Sequence, residues 1–137
     1  TTFPDTDFPM FRLADVYLMY AEAVARGGQG GSMATAVGYV NALRQRAYGD
    51  TFHGINESWL RENDFRNLLD ERARELYWEG TRRTDLIRYG LFTSGDYLWT
   101  FKGGVLSGTG VLSRYNVFPI PVTDMSVNGM LKQNEGY

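Results

Sequence analysis

A glycine-rich turn between two helical patterns is the feature that most constrains the fold of this chain. Apolar residues recur at helical spacing over residues 11–26, and again after Ser32 as far as Gly49. The glycines of residues 27–31 readily adopt the left-handed backbone that ends a helix, and Ser32 is a good N-cap for the next one. The spacing therefore predicts an antiparallel helical hairpin over residues 11–49.

Small and aromatic side chains within this hairpin follow the pattern of a tetratricopeptide-type repeat. The positions are Ala21, Ala23, Gly28, Ala36, Tyr39, Ala42 and Leu43. One such hairpin cannot bury both of its faces, since at least about three repeats are normally needed, and the sequence holds no second copy. We therefore expect a mainly α fold of the α-α superhelix type, whose neighbouring helices come from a longer chain or from a partner.

The density of charge falls abruptly at Gly90. Residues 57–90 carry eight acids and seven arginines, whereas residues 91–137 carry only six charged residues. After a loop over residues 50–59, the charged segment is predicted to form one long helix over residues 63–90, capped by Asn63 or Asp64. Residues 91–137 are rich in Gly, Pro, Ser, Thr and Asn. They are predicted to form an irregular tail with short extended pieces at 97–102 and 117–122.

The composition excludes several classes of protein. The chain contains no cysteine, which removes disulfides and thiolate metal sites, and its single histidine is His53. A net charge of −2 gives no electrostatic reason to expect a nucleic acid as partner. No apolar run approaches the roughly 18 residues of a membrane span. The glycine turn lacks the lysine of a phosphate loop and follows a helix instead of a strand.

Several charges fall on the apolar side of the predicted long helix. At about 100° per residue, Arg72, Glu79 and Arg83 lie in the middle of that side. Because an unpaired buried ion costs several kcal/mol or more, we predict that Glu79 is held between Arg72 and Arg83 or equivalent arginines. We interpret the charges as a structural ion network, and a catalytic carboxylate or an anion clamp is the alternative. The network comprises Arg72, Glu75, Glu79, Arg82, Arg83 and Asp85.

Catalysis and metal binding are weaker interpretations of the same acids. Glu71, Glu75 and Glu79 follow one another along one helix, whereas the two carboxyl groups of a glycosidase flank a bond across a cleft. A di-metal bundle would need a Glu-x-x-His motif, and these segments contain no histidine. We therefore expect no catalytic residues, no metal site and no cofactor.

An aromatic segment in the tail is the best candidate for a ligand contact. Tyr97, Trp99 and Phe101 are spaced by two, which would place the three rings on one face of an extended segment. Flat aromatic rings stack on the C–H faces of pyranose sugars. The alternative is that these rings only pack the tail onto the helices, and we expect Trp78 and Tyr115 to be core residues of that kind.

Four motifs, in order, resemble the SusD/RagB family. Residues 11–23 (FRLADVYLMYAEA) are similar to its R.ADV.LMYAEA helix, and residues 71–90 to its ER..EL..EG.R..DL.RWG signature. Residues 118–121 (FPIP) and 133–137 (QNEGY) match its YPIP and terminal QNPGY motifs. The chain departs from the family pattern at Tyr89, at residues 128–129 and at Glu135, positions that concern turns and packing.

The resemblance implies a role as well as a fold. Members of the family are lipoproteins on the outer-membrane surface, where they bind glycans and cover a SusC-like TonB-dependent transporter. Their lipid-bearing cysteine and a helical-repeat half lie upstream of the matched region. The resemblance thus implies that residues 1–137 are a single domain, the C-terminal portion of such a protein. Its membrane contact would be a lipid anchor outside this segment.

A local similarity adds a further candidate residue. Residues 99–104 are similar to a W.WKGG stretch of starch-type members, which adds Lys102 to the ligand-binding candidates and favours a glucan. The resemblance thus implies non-catalytic glycan binding for uptake. Two alternatives stay open, a helical-repeat protein–protein interaction module without glycan contact and a glycoside hydrolase subunit.

Overall fold

A computed structural model describes Asp7 and residues 9–137, and the chain divides into two compact units that meet in sequence between Arg82 and Arg83. All regular elements of the described residues are helical and none is a strand, which confirms the mainly α prediction. These elements are α1 (Leu13–Ala25), α2 (Met33–Tyr48), α3 (Glu57–Arg61), α4 (Arg66–Glu75), α5 (Arg82–Arg88) and α6 (Val122–Val127), with 3₁₀ turns at Lys102–Gly104 and Ser113–Asn116. None of these helices is long and apolar enough to cross a membrane. The single-domain boundary 1–137 stays a prediction.

The helical hairpin of the first unit forms where the local signals predict it. Helix α1 ends before Gly27, whose φ of 93° lies in the left-handed region. The Ser32 hydroxyl accepts a hydrogen bond from the Thr35 N–H at 3.1 Å and caps α2. Gly49, with a φ of 77°, ends α2. Helices α1 and α2 pack against each other, as the hairpin prediction requires.

Small and aromatic side chains alternate in the core of the first unit. Ala21 and Ala36 are fully buried, which lets the helix backbones approach, while Tyr17 stacks on Tyr39 with ring centroids 4.1 Å apart. The buried apolar cluster consists of Ala14, Leu18, Ala21, Val24, Ala25, Ala36, Val40, Leu43, Leu60, Leu68 and Leu76. Each fully buried leucine contributes roughly 1.5–3 kcal/mol by leaving water. The core therefore joins α1 and α2 to residues of α3 and α4.

The loop predicted over residues 50–59 was only partly correct. Helix α3 starts inside it, because the Asn56 side chain accepts a hydrogen bond from the Trp59 N–H at 3.0 Å and acts as the N-cap. Leu60, one turn later, is fully buried in the core of the first unit. The Asn56 cap and the burial of Leu60 thus help to anchor this short helix.

The long helix predicted over residues 63–90 is wrong. Asn63 and Asp64 have positive φ and neither is the N-cap of α4, a position that Phe65 occupies. Between α4 and α5 the chain turns at residues 76–81, where Trp78 has a φ of 66° and Gly80 a φ of 77°. Glycine costs roughly 1 kcal/mol inside a helix and readily takes the left-handed conformation, so the chain breaks there.

Two aromatic residues that the sequence predicts in the core are largely or partly exposed. Trp78 is 87% exposed, so its predicted place in the core is wrong. Tyr115, the other predicted core aromatic, is 42% exposed and lines a pocket of the second unit. The apolar residues of the signature segment nevertheless agree with the prediction, since Leu68, Leu69 and Leu86 are buried.

Side-chain-to-backbone hydrogen bonds order the second unit, which lacks sheet hydrogen bonding in its described residues. The Gln133 amide accepts from the Ile120 N–H at 2.8 Å and donates to the Ile120 carbonyl at 2.9 Å. Asn134 donates to the Phe118 carbonyl at 2.7 Å, and the Tyr137 hydroxyl donates to the Val117 carbonyl at 2.9 Å. The FPIP and QNEGY motifs therefore hold each other in place.

Replacing Gln133 with leucine should destabilise the second unit by about 1–2 kcal/mol, since the N–H and carbonyl of Ile120 lose their partner. Amide hydrogen exchange of a peptide covering residues 117–122, measured by mass spectrometry, would report the loss as reduced protection. Glu135→Leu is the matched control, because Glu135 is exposed in the same motif. Equal protection in both variants would contradict a bridging role for the Gln133 amide.

Candidate functional site

The second unit contains an open pocket of about 480 Å³ whose walls are mostly aromatic and aliphatic. The pocket is lined by Arg83, Phe92, Trp99, Lys102, Gly103, Val111, Tyr115, Val117, Phe118 and Tyr137. Trp99 is 38% exposed, so part of this large side chain is available to a ligand. Aromatic walls with a few polar groups are typical of small-molecule sites.

Ring contacts hold Trp99 at the edge of this pocket. Its ring stacks on Phe92 with centroids 6.0 Å apart, and Tyr97 lies tilted against it at 6.4 Å. Centroid separations of this size are within the usual range for aromatic pairs. The structure thus brings together Tyr97 and Trp99, two of the aromatic residues selected from the sequence.

The predicted common face of Tyr97, Trp99 and Phe101 is wrong, because the segment is a series of turns instead of an extended piece. Phe101 has a φ of 67°, is 64% exposed, and is absent from the pocket lining. Gly103 also has a positive φ, and a Cβ there would lie 2.6 Å from the Thr109 Cγ2. Because of this tight turn, Phe101 does not line the pocket beside Trp99.

Lys102, the fourth candidate ligand residue, is buried and only 2% exposed. Its ammonium group donates hydrogen bonds to the carbonyls of Leu91 at 3.2 Å, Ser94 at 2.6 Å and Tyr97 at 2.7 Å. Burial lowers the pKa of this ammonium, and the charge of Asp96 opposes that shift. An ammonium has three hydrogens to donate, so these carbonyls account for its full capacity.

Arg83 is a second cation of the pocket wall, and its guanidinium contacts two aromatic rings. The guanidinium carbon lies 4.1 Å from the Phe118 centroid and 5.0 Å from the Phe92 centroid. The same group donates to the carbonyls of Tyr115 at 2.8 Å and Asn116 at 3.3 Å. Arg83 therefore joins three separate parts of the second unit and does not pair with Glu79 as predicted.

The predicted placement of Glu79 between two arginines is wrong, since Glu79 is bound by Arg12 at the start of α1. The Arg12 Nε donates to both Glu79 carboxylate oxygens at 2.8 and 2.9 Å, and its Nη1 donates to Glu75 at 2.7 Å. Its Nη2 donates to the Glu75 carbonyl at the end of α4. These partners raise the pKa of Arg12, Glu79 foremost. The guanidinium thus caps α4 at the point where the predicted long helix breaks.

The other predicted members of the ion network take part in separate pairs. Arg72 pairs with Asp15 of α1 at 2.8 Å, and Asp85 pairs with Arg88 at 3.0 Å. Arg82 donates to the Leu69 carbonyl at 2.8 Å. The pair of Arg44 on α2 with Glu71 on α4, at 2.6 Å, was not predicted. A helical projection of one segment could not identify Arg12 or Arg44, although the R.ADV motif contains Arg12.

The described residues contain no group of three or more histidine, cysteine, aspartate or glutamate side chains that could hold a metal ion. His53 is exposed, as expected for a loop residue, and its Nδ1 lies 2.9 Å from the Asp50 carboxylate. The His53 ring stacks on Tyr48. The hydrogen bond from His53 lowers the pKa of Asp50, which is the ordinary behaviour of an exposed acid beside a partner.

The described residues define a mainly α fold whose second unit is an irregular, aromatic-rich segment around a pocket. The sequence profile of the SusD family matches residues 1–137. The chain is 49% identical to "Starch-binding protein SusD" from Bacteroides thetaiotaomicron over 136 residues, which cover 99% of this chain and 22% of the relative. It is 34% identical to "SusD-like protein P25" from Formosa agariphila, covering 93% of this chain and 24% of the relative.

A solved structure shares this architecture. A SusD superfamily protein from Parabacteroides distasonis matches with a TM-score of 0.61 and 26% identity, over 93% of this chain and 26% of that one. The chain belongs to the SusD family. It spans about a quarter of the length of the relatives it matches.

Proposed function

We propose that this protein binds glycan, with a starch-type glucan as the ligand class, and that Trp99 at the pocket of the second unit contacts the sugar. The observation that supports this most is the accessible indole at the edge of an aromatic pocket. An aromatic face stacks on the apolar C–H face of a pyranose ring, and polar groups beside it distinguish the hydroxyl positions. The name of the 49% identical relative favours starch among the glycans.

The proposed binding is not accompanied by bond cleavage. Glycoside hydrolysis normally uses two carboxyl groups on either side of the scissile bond. The residues that the structure describes around the pocket include no aspartate or glutamate. Glu75 and Glu79 in the first unit are each bound by Arg12 and are committed to the turn after α4. We expect no release of reducing sugar from any glucan that the protein binds.

The proposed setting is the outer-membrane surface, where the protein would deliver glycan to a SusC-like TonB-dependent transporter. Membership of the SusD family supports this setting, with a lipid anchor outside this segment. The exposed apolar stripe of Leu13, Val16 and Met19 on α1, which are 62%, 49% and 48% exposed, supports contact with further helices of a longer protein. The greater length of the relatives is consistent with that contact.

Trp99→Ala should weaken binding of soluble starch about tenfold, equivalent to about 1.4 kcal/mol, because the stacking face is lost. Affinity gel electrophoresis with starch in the gel measures the change as a loss of retardation. Phe101→Ala is the matched control, since this exposed aromatic lies two residues away and outside the pocket lining. Unchanged retardation of Trp99→Ala, or an equal loss in both variants, would contradict the proposed contact. A parent protein that starch does not retard would instead favour an interaction module without glycan contact.

A further inference from the structure

Lys102 is connected to Trp99 through both its backbone and its side chain. The Lys102 N–H donates to the Trp99 carbonyl at 3.0 Å, and the ammonium nitrogen lies 4.6 Å from the centroid of the indole. A cation at this distance from a tryptophan ring is attracted by its π electrons, and more strongly when the cation is shielded from water. Lys102 is 2% exposed, so the contact is shielded.

The ammonium also fixes the chain segment that carries the neighbours of Trp99. Its three acceptors, the carbonyls of Leu91, Ser94 and Tyr97, span a segment without helix or strand. Phe92, which stacks on Trp99, lies within that segment. Backbone carbonyls that no ladder satisfies need another donor when they are buried, and a buried cation supplies three hydrogen bonds from one point.

We propose that Lys102 is a positioning residue for the glycan-stacking ring of Trp99, acting through the carbonyls of residues 91–97 and through its contact with the indole. This inference rests on the proposed function, because the ring matters for binding only if Trp99 contacts the sugar. The ammonium of Lys102 does not bind the ligand, since its three donors are directed at protein carbonyls. Its effect on affinity comes from holding the ring in one orientation before the sugar arrives.

The test measures the fluorescence of Trp99 alone. Replacing Trp59 and Trp78 by phenylalanine leaves Trp99 as the one tryptophan, because the chain has three. In this background Lys102→Met should weaken binding of maltoheptaose about fivefold to tenfold. It should also shift the Trp99 emission to longer wavelength and lower its anisotropy, since the indole loses its cation and its ordered segment. A purely structural role elsewhere in the unit would leave the emission of Trp99 unchanged.

Lys102→Arg supplies the conservative variant and keeps the test decisive if the methionine variant fails to fold. It retains a cation that can donate to the same carbonyls, so the emission and anisotropy of Trp99 should stay closer to those of the parent than to those of Lys102→Met, although the larger planar guanidinium should lower affinity somewhat. Arginine that alters emission and affinity as much as methionine does would overturn the proposal. So would a loss of affinity in Lys102→Met with unchanged Trp99 emission, which would indicate a direct ligand contact.

Failure of the proposed function would be recognised separately. If the parent protein does not bind maltoheptaose, or if Trp99→Ala does not weaken binding, then glycan contact at Trp99 is wrong. The emission and anisotropy of Trp99 in Lys102→Met still test whether the lysine positions the ring, because that measurement needs no ligand. Unchanged values there would overturn the role of Lys102 whatever the binding result.

Discussion

Replacing Arg12 with methionine is expected to lower the free energy of unfolding of the first unit by about 2–3 kcal/mol. The change keeps much of the apolar stem but leaves Glu75, whose side chain is 7% exposed, and Glu79 without the guanidinium that joins them. Removing one partner of a largely buried ion pair costs about 3–5 kcal/mol, and the partial exposure of Arg12 reduces that figure. The carbonyl at the end of α4 loses its donor as well.

Urea denaturation followed by far-ultraviolet circular dichroism measures this loss, because the helices of the hairpin dominate that signal. Arg46→Met is the control, since Arg46 also pairs with Glu75 but its side chain is 64% exposed. Exposed pairs contribute roughly 0–1 kcal/mol, so this variant should be nearly as stable as the parent. An equal loss of unfolding free energy in the two variants would contradict a special role for Arg12 in joining α1 to the turn after α4.

The hairpin could be predicted from sequence because its limits are set by neighbouring residues. Ser32 caps the helix that follows it, and Gly49 ends that helix by its own backbone conformation. The break between α4 and α5 was not predicted, although Gly80 is a local signal for it. Arg12 stabilises that break from more than sixty residues away in the sequence. A helical projection considers only the residues of one helix, so it cannot identify such a distant partner. The sequence could thus predict that the buried acids pair with arginines, but not which arginines they are.

In the candidate site too, features set by neighbouring residues could be predicted from sequence, and features set by distant residues could not. The aromatic content of residues 97–101 identified Trp99 and Tyr97, whose rings lie together in the structure. Phe101 does not share a face with them, because a spacing of two residues gives a common face only on an extended backbone and Phe101 has a φ of 67°. Similarity to starch-type members indicates Lys102 as a ligand residue, whereas in the structure its ammonium is bound by carbonyls as far away as that of Leu91. Two glycines directly after Lys102 were the available signal for a turn.

Replacing Arg83 with methionine should destabilise the second unit by about 2 kcal/mol. The guanidinium makes two hydrogen bonds to the carbonyls of Tyr115 and Asn116, and a charged donor contributes roughly 1.5–3 kcal/mol in such a bond. It also lies between Phe92 and Phe118, where each cation–π contact adds roughly 0.5–1 kcal/mol at a partly exposed position. Methionine loses the charge and both hydrogen bonds but retains part of the apolar contact with the rings. The expected loss of stability is therefore smaller than the sum of these contributions.

Amide hydrogen exchange of peptides covering residues 113–118 measures the effect where the contacts are lost. Arg83→Lys should recover about half of the stability, because an ammonium can donate to the carbonyls but lacks the planar group that stacks between two rings. Lys132→Met, which removes an exposed cation from the same unit, should leave exchange unchanged. Full recovery with lysine would mean that charge alone is sufficient. The contacts of the planar guanidinium with Phe92 and Phe118 would then contribute nothing to the order of the pocket wall.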